Sequence, residues 1–387
     1  MENFNYSIPT KIYFGKGQIK NLGEIIKEYG SKILIVYGGG SIKKIGLYDQ
    51  ITEILNNNNL SYVELSGVDP NPRIESVREG IKICRDNDVE VVLAVGGGST
   101  IDCAKVIAAG VNYQGDAWDI VLNPSKITKA LPIITVLTLA ATGSEMDPYA
   151  VISDMSKNEK LGTGHDEMKP RVSILDPEYT YSVPKNQTAA GTADIMSHIF
   201  ESYFNNTKGA FIQDRTAEGL LRTCIKYGKI AADCPNDYEA RANLMWVSSL
   251  AINGLISYGT KGEWSVHPME HELSAFYDIT HGVGLAILTP HWMKYVLSDK
   301  TVDKFVEYGV NVWDIDKNLD KYEIANKAID KTSEFFKELG IPSTLREVGI
   351  GEEHLEEMSK KAVNGGLKNA FKPLTSEDVF NIYKLAL

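Results

Sequence analysis

Residues 32–41 read KILIVYGGGS, and residues 89–99 read VEVVLAVGGGS. Each is an apolar, β-branched run that ends in Gly-Gly-Gly-Ser and leads into a helical pattern. A run of Val, Ile and Leu without polar alternation fits a strand buried on both faces, as in a parallel sheet covered by helices. Working outward, strands are predicted at Lys32–Tyr37, Ser61–Leu65, Val89–Val95 and Ile133–Leu137. Helices are predicted between them at Tyr48–Asn57 and Ile74–Asp88, and Asp69-Pro70-Asn71-Pro72 forces a turn. This alternation predicts an α/β domain.

After Asp176-Pro177 and Val183-Pro184 the strand signals stop. Thr188–Phe204, Gln213–Lys229, Tyr238–Ser257 and Tyr322–Leu339 read as long helices. The expected division is an α/β domain at 1–185 and an all-helical domain at 186–387. A chain of 387 residues suits two domains of ordinary size.

The chain is 43% hydrophobic and 24% charged, which excludes disordered and collagen-like classes. Its 40 basic and 51 acidic residues give a net charge of −11. Such a balance lacks the basic footprint of a nucleic-acid binder or of a protein drawn to anionic membranes. Cys84, Cys103, Cys224 and Cys234 match no zinc or disulfide framework. The first residues show no signal peptide, and no apolar run is long enough to span a bilayer. A soluble, cytoplasmic protein is expected.

The Gly-Gly-Gly-Ser loops point to phosphate. A turn from strand to helix presents backbone N–H groups, glycine allows close approach, and the helix N-terminus favours an anion. Ser99-x-x-Asp102 reads as a capping box, which would start the helix at Ser99. Neither loop matches GxGxxG or GxxxxGK[ST], and tight turns alone would be the alternative reading. The first strand also ends without Asp or Glu, the group that binds the ribose 2′-hydroxyl of NAD. Ser41, Lys43 and Lys44 follow instead, so NADP(H) is expected over NAD(H), unless the two lysines only face solvent.

Three of the seven histidines, His267, His271 and His281, fall within 15 residues, where even placement would put roughly 0.3. Upstream, Asp194-x-x-x-His198 places two donors on one face of a helix. Imidazoles with one carboxylate suit Fe(II) or Zn(II). A competing reading exists. His267-Pro268-Met269-Glu270-His271 fits H-x-x-E-H, the signature of inverted zinc peptidases, with Glu270 activating water. That reading gives His281, Asp194, His198 and the glycine loops no role.

Taken together, Gly96–Asp102, Thr138–Glu145 (TLAATGSE), Gly191-Thr192-Ala193-Asp194-x-x-x-His198, His267-x-x-x-His271 and His281-Gly282 resemble the iron-containing alcohol dehydrogenases. Ser7–Lys11, Tyr37–Ser41 and Glu272–Ala275 are very similar to the clostridial butanol dehydrogenases of that family. The resemblance spans nearly the whole chain. It implies a Rossmann-like dinucleotide-binding domain followed by a helical metal-binding domain, in a homodimer that interconverts small aliphatic aldehydes and primary alcohols. Glycerol dehydrogenases and dehydroquinate synthase-like enzymes of the same fold are the rivals. The resemblance implies Asp194, His198, His267 and His281 as metal ligands and His271 beside the nicotinamide, where it could relay a proton. It implies Gly97, Gly98 and Ser99 at the pyrophosphate. Gly38, Gly39, Gly40, Ser41 and Asn71 would lie on the adenosine side. Thr138, Thr142, Asp147, Lys160 and Tyr179 would line the rest of the cofactor path. Members are reported with iron or zinc, and the ligands do not choose between them.

Overall fold

The computed structural model describes residues 1–364 and 367–387. A six-stranded sheet runs in the order β1 (Lys11–Phe14), β8 (Val172–Leu175), β5 (Ile133–Leu137), β4 (Val91–Gly96), β2 (Lys32–Tyr37), β3 (Ser61–Leu65). Every adjacent pair is parallel. β6 (Tyr149–Asp154) and β7 (Glu159–Gly164) form a separate antiparallel hairpin. Helices α1 (Leu22–Lys27), α2 (Ser41–Lys44), α3 (Leu47–Asn57), α4 (Ile74–Asp86), α5 (Gly98–Gly110) and α6 (Ala117–Leu122) punctuate the strands.

Alternating strand residues serve two cores, which is why the strands read as unbroken apolar runs. Ile33, Ile35, Tyr37, Val91, Leu93 and Val95 pack with residues of α1, α2 and α3. Leu34, Val36, Val92 and Ala94 pack with α4, α5 and α6. Each fully buried Val, Leu or Ile contributes about 1.5–3 kcal/mol. This is the α/β sheet the sequence predicts.

Strand boundaries shift slightly: the strand expected at Val89–Val95 runs Val91–Gly96, and the helix expected to reach Asp88 ends at Asp86. The capping box is not formed. Helix α5 starts at Gly98 with Gly97 as its N-cap and no side-chain cap bond. Asp102 finds stronger partners elsewhere: it accepts hydrogen bonds from Ser144 Oγ (2.6 Å) and the Val151 amide (2.9 Å).

The remaining helices are α7 (Lys185–Tyr203), α8 (Phe211–Asp233), α9 (Tyr238–Ile252), α10 (Val266–Tyr277), α11 (His281–Val296), α12 (Val302–Trp313), α13 (Lys321–Glu338), α14 (Leu355–Ala362) and α15 (Ser376–Leu385). The helix expected over Tyr238–Ser257 stops at Ile252, before Gly254 at φ +97°. Among the described residues, none of the helices is long and apolar enough to cross a membrane.

The chain divides into two compact units. The sheet unit comprises Ser7–Val183 and Pro235–Ser249; the helical unit comprises Met1–Tyr6, Pro184–Cys234 and Leu250–Leu387. Most of α9, placed by sequence in the helical domain, therefore folds with the sheet. Met245 enters the sheet's apolar core, and the Trp246 ring meets Phe14 edge-on at 5.9 Å. Helical periodicity pointed to a helix over 238–257 but not to which body it would cover.

Candidate active site

In the helical unit, α7 is buried from Thr188 to Tyr203 on nearly all sides. A helix so enclosed carries polar side chains only where they have partners. Asp194 and His198 stand one turn apart on it, and Glu201 follows three residues later. Helix α10 contributes His267, Glu270 and His271, and α11 opens with His281.

Donor atoms from Asp194, His267 and His281 all lie within 4.8 Å of one another. From Asp194 Oδ1, His281 Nε2 is 3.8 Å away and His267 Nε2 is 4.0 Å away. His198 Nδ1 lies 3.5 Å from the same oxygen, at the margin of that set. The edge of a tetrahedron with ligand bonds near 2.1 Å is roughly 3.4 Å, so these spacings suit one small cation. His198 Nδ1 and His267 Nε2 are buried and make no hydrogen bond, as ligand nitrogens awaiting an ion would be. Burial, reinforced by the neighbouring His267 and His281, holds His198 well below the usual histidine range. It is therefore neutral, the form that ligates. Nitrogen and carboxylate donors in this ratio fit Fe(II) or Zn(II). His271 lies beside the group, half-buried, with its ring 5.6 Å from that of His281. The Trp264 ring lies 4.6 Å from His267 and 5.6 Å from His198.

Two carboxylates that sequence reasoning left without a role in this centre stand behind the histidines. Glu201 accepts from the amides of Ser265, Val266 and His267 and pairs with His267 Nδ1 at 3.1 Å. Glu270 pairs with His281 Nδ1 and accepts from Ser274 Oγ at 2.5 Å. Spacing puts Asp194, His198 and Glu201 on one helix face at i, i+4 and i+7, a pattern that a solvated face would share. This geometry gives the peptidase reading no support, because Glu270 is fully buried and is turned to His281 and Ser274.

Close packing holds the helices that carry the centre. A Cβ on Gly282 would lie 2.1 Å from the Ala190 carbonyl oxygen of α7, and one on Gly284 would lie 2.8 Å from Glu270 Cγ. Gly282→Ala should lower unfolding stability by about 1–3 kcal/mol, the usual cost of overpacking against backbone. Gly284→Ala should cost less, because it meets a side chain rather than backbone, though it displaces Glu270 from Ser274 and His281. Thermal unfolding of both variants checks the order, and equal stability to wild type would refute it.

In the sheet unit, β2→β3 and β4→β5 leave in opposite directions, so the strand order reverses between β2 and β4. Ligands of such sheets bind at the carboxyl edge beside this reversal. The loops Gly38–Ser41 and Gly97–Ser99 follow those two adjacent strands. Thr138 follows β5, its amide bonded to the Gly96 carbonyl at 3.0 Å. Gly98 must be glycine, since a Cβ would fall 2.3 Å from Thr142 Oγ1. Asn71 adopts φ +55° in the turn before α4.

The other three expected cofactor residues sit differently. Asp147 is turned inward, in a buried ion pair with Lys105 at 2.9 Å, and accepts from the Tyr149 amide. Lys160 is buried on β7, and the half-buried Tyr179 packs against the apolar core on one face of the sheet. Lys105 also donates to Ser144 Oγ (2.8 Å) and to the Tyr149 carbonyl (2.7 Å), joining Asp102, Ser144 and Asp147 in one buried network. Glu145 is buried nearby, accepts from Ser249 Oγ, and is pushed up to about 7 by burial.

The family models agree with this architecture. "Iron-containing alcohol dehydrogenase" matches residues 9–177, and the C-terminal model of the Fe-containing alcohol dehydrogenase family matches 188–387. The chain belongs to the iron-containing alcohol dehydrogenase family. It is an NAD(P)H-dependent alcohol dehydrogenase/aldehyde reductase. It is 66% identical to NADH-dependent butanol dehydrogenase A of Clostridium acetobutylicum, over 99% of each chain. It is 39% identical to the NADPH-dependent aldehyde reductase YqhD of Escherichia coli, over 95% of this chain and 94% of that one. The crystal structure of an NADH-dependent butanol dehydrogenase A from Thermotoga maritima superposes with a TM-score of 0.95 at 42% identity, covering 100% of this chain and 99% of that one.

Proposed function

We propose that this enzyme reversibly reduces short aliphatic aldehydes such as butanal at a divalent metal held by Asp194, His198, His267 and His281. The convergence of the Asp194, His267 and His281 donors carries the reading. That the clostridial relative is a butanol dehydrogenase supports butanal, and the Trp264 ring beside the histidines supports an apolar chain. When bound, the ion supplies Lewis acidity at the substrate oxygen, and the nicotinamide supplies or takes the hydride. Gly97, Gly98 and Ser99 bind the pyrophosphate at the start of α5, with Gly38–Ser41 and Asn71 toward the adenosine. Thr138 and Thr142 flank that path. His271 passes a proton to or from the substrate oxygen. Iron is the proposed metal, following the family model's description. The same proposal includes a cytoplasmic homodimer, and a purely monomeric mass in sedimentation velocity would remove the dimer.

The test is a steady-state assay of butanal reduction by metal-stripped protein reloaded with Fe(II) or Zn(II). Activity restored by Fe(II) above Zn(II) supports iron, and the reverse order assigns zinc. No butanal reduction with either ion would overturn the reading. A carboxylate-bearing aldehyde should be reduced more slowly than butanal, because an unpaired buried charge costs several kcal/mol.

For the nucleotide, the glycine loop alone favours NADP(H), but its surroundings temper that expectation. Lys43 Nζ lies over the rings of Tyr48 (4.4 Å) and Tyr37 (5.1 Å). Both tyrosine hydroxyls donate to Glu64 at 2.6 Å, so a carboxylate stands beside β2 after all, on the adjacent strand. With the NADH dependence of the clostridial relative, this supports NADH as the better cofactor and NADPH as an accepted one. Gly39 has open space for a side chain. Gly39→Asp should therefore fold and lower kcat/KM for NADPH about tenfold or more, or at least roughly 1.4 kcal/mol, with little loss for NADH. Equal loss of both cofactors would attribute the effect to the backbone, and a wild type strongly preferring NADPH would overturn the NADH reading.

A further inference from the structure

We infer that Glu201 and Glu270 are positioning residues of the metal centre, each fixing the ring and tautomer of one ligand histidine. The inference rests on the metal-centre reading above and adds to it two residues from outside the ligand set. His267 and His281 present the same arrangement twice. In each, Nδ1 faces a buried carboxylate and Nε2 faces Asp194 Oδ1. A carboxylate at Nδ1 keeps the proton there and leaves the Nε2 lone pair for an ion, and such partners raise the basicity of the ligand.

The two carboxylates act at different joints. Glu201 belongs to α7, yet its oxygens receive three successive amides at the start of α10 as well as His267 Nδ1. It therefore ties the helix of Asp194 and His198 to the helix of His267. Glu270 belongs to α10 and reaches His281, the first residue of α11. Its fit depends on the missing side chain of Gly284. Together they link the three helices that supply ligands.

Metal-free wild type, Glu201→Gln and Glu270→Gln are titrated with Zn(II) under chelator competition, and thermal unfolding is followed with and without saturating Zn(II). Each variant should bind one Zn(II) roughly 10–100-fold more weakly than wild type. The rise in Tm on adding a fixed Zn(II) concentration should shrink accordingly. A residue with only a structural role would lower both unfolding temperatures and leave the affinity and the rise unchanged, which would overturn the inference. Glu201→Gln loses one amide acceptor at the start of α10. If that variant fails to fold, Glu270→Gln decides, since the two partners that fix Glu270 here are side chains. Wild-type affinity in Glu270→Gln overturns the positioning role while leaving the metal centre standing. Wild type that takes up neither Zn(II) nor Fe(II) overturns the metal centre itself.

Discussion

Asp194→Ala protein should purify without its metal and reduce butanal at least about a thousandfold more slowly than wild type. The Asp194 Oδ1 atom is the shared vertex of the centre, with His198, His267 and His281 nitrogens at 3.5, 4.0 and 3.8 Å. Among the described residues it is the carboxylate that faces all three rings. Without it, three neutral imidazoles would have to hold a dication with no opposing charge in direct contact. Lewis-acid stabilisation of a developing alkoxide is worth several kcal/mol, and each 1.36 kcal/mol is tenfold in rate. His271→Ala should keep its metal and lose activity through proton transfer alone. Metal analysis alongside steady-state kinetics separates the two variants. A stoichiometric metal content in Asp194→Ala would refute the ligand assignment.

Lys105→Met should destabilise the sheet unit by about 3–5 kcal/mol at pH 7, the cost of removing one partner from a buried ion pair. The Lys105 side chain is fully buried and its ammonium faces Asp147, Ser144 and the Tyr149 carbonyl, with Asp102 joined through Ser144. Burial pushes Asp102 up to about 6 and raises Asp147, and Lys105 opposes both shifts. An acid with a raised folded pKa binds more protons folded than unfolded. Its ionisation therefore costs stability as pH rises from its unfolded value near 4 toward its folded value near 6. Removing Lys105 moves those folded values higher still. The deficit against wild type should accordingly be smaller at pH 5 than at pH 7.5. Denaturant unfolding at the two pH values measures it. A deficit independent of pH would mean lost packing rather than uncompensated carboxylates.

The strands that form the centre of the sheet were legible because they are buried on both faces and therefore carry continuous apolar runs. β1 and β8 escaped because four-residue strands offer no pattern long enough to read. The hairpin of β6 and β7 escaped because its turn at Ser156–Asn158 lacks a strong turn dipeptide. The residues proposed as ligands stood out because histidine is rare in this chain and helical spacing puts Asp194 and His198 on one face, and the family resemblance completed the set. Glu201 and Glu270 did not, because a carboxylate behind a histidine has the same composition as a solvated helix face. Only the packing of α7, α10 and α11 tells them apart. Asp102 shows the opposite failure: its spacing from Ser99 satisfied a local rule, and the Ser144 hydroxyl and Val151 amide outcompeted it.

The chain passes between its two units after residues 6, 183, 234 and 249. A gene fragment ending at residue 183 would encode every strand of the sheet yet omit Met245, Trp246 and Ser249, leaving Glu145 without its hydroxyl donor and an apolar face uncovered. The sheet unit is thus not a contiguous stretch that a single cut could excise with its core intact.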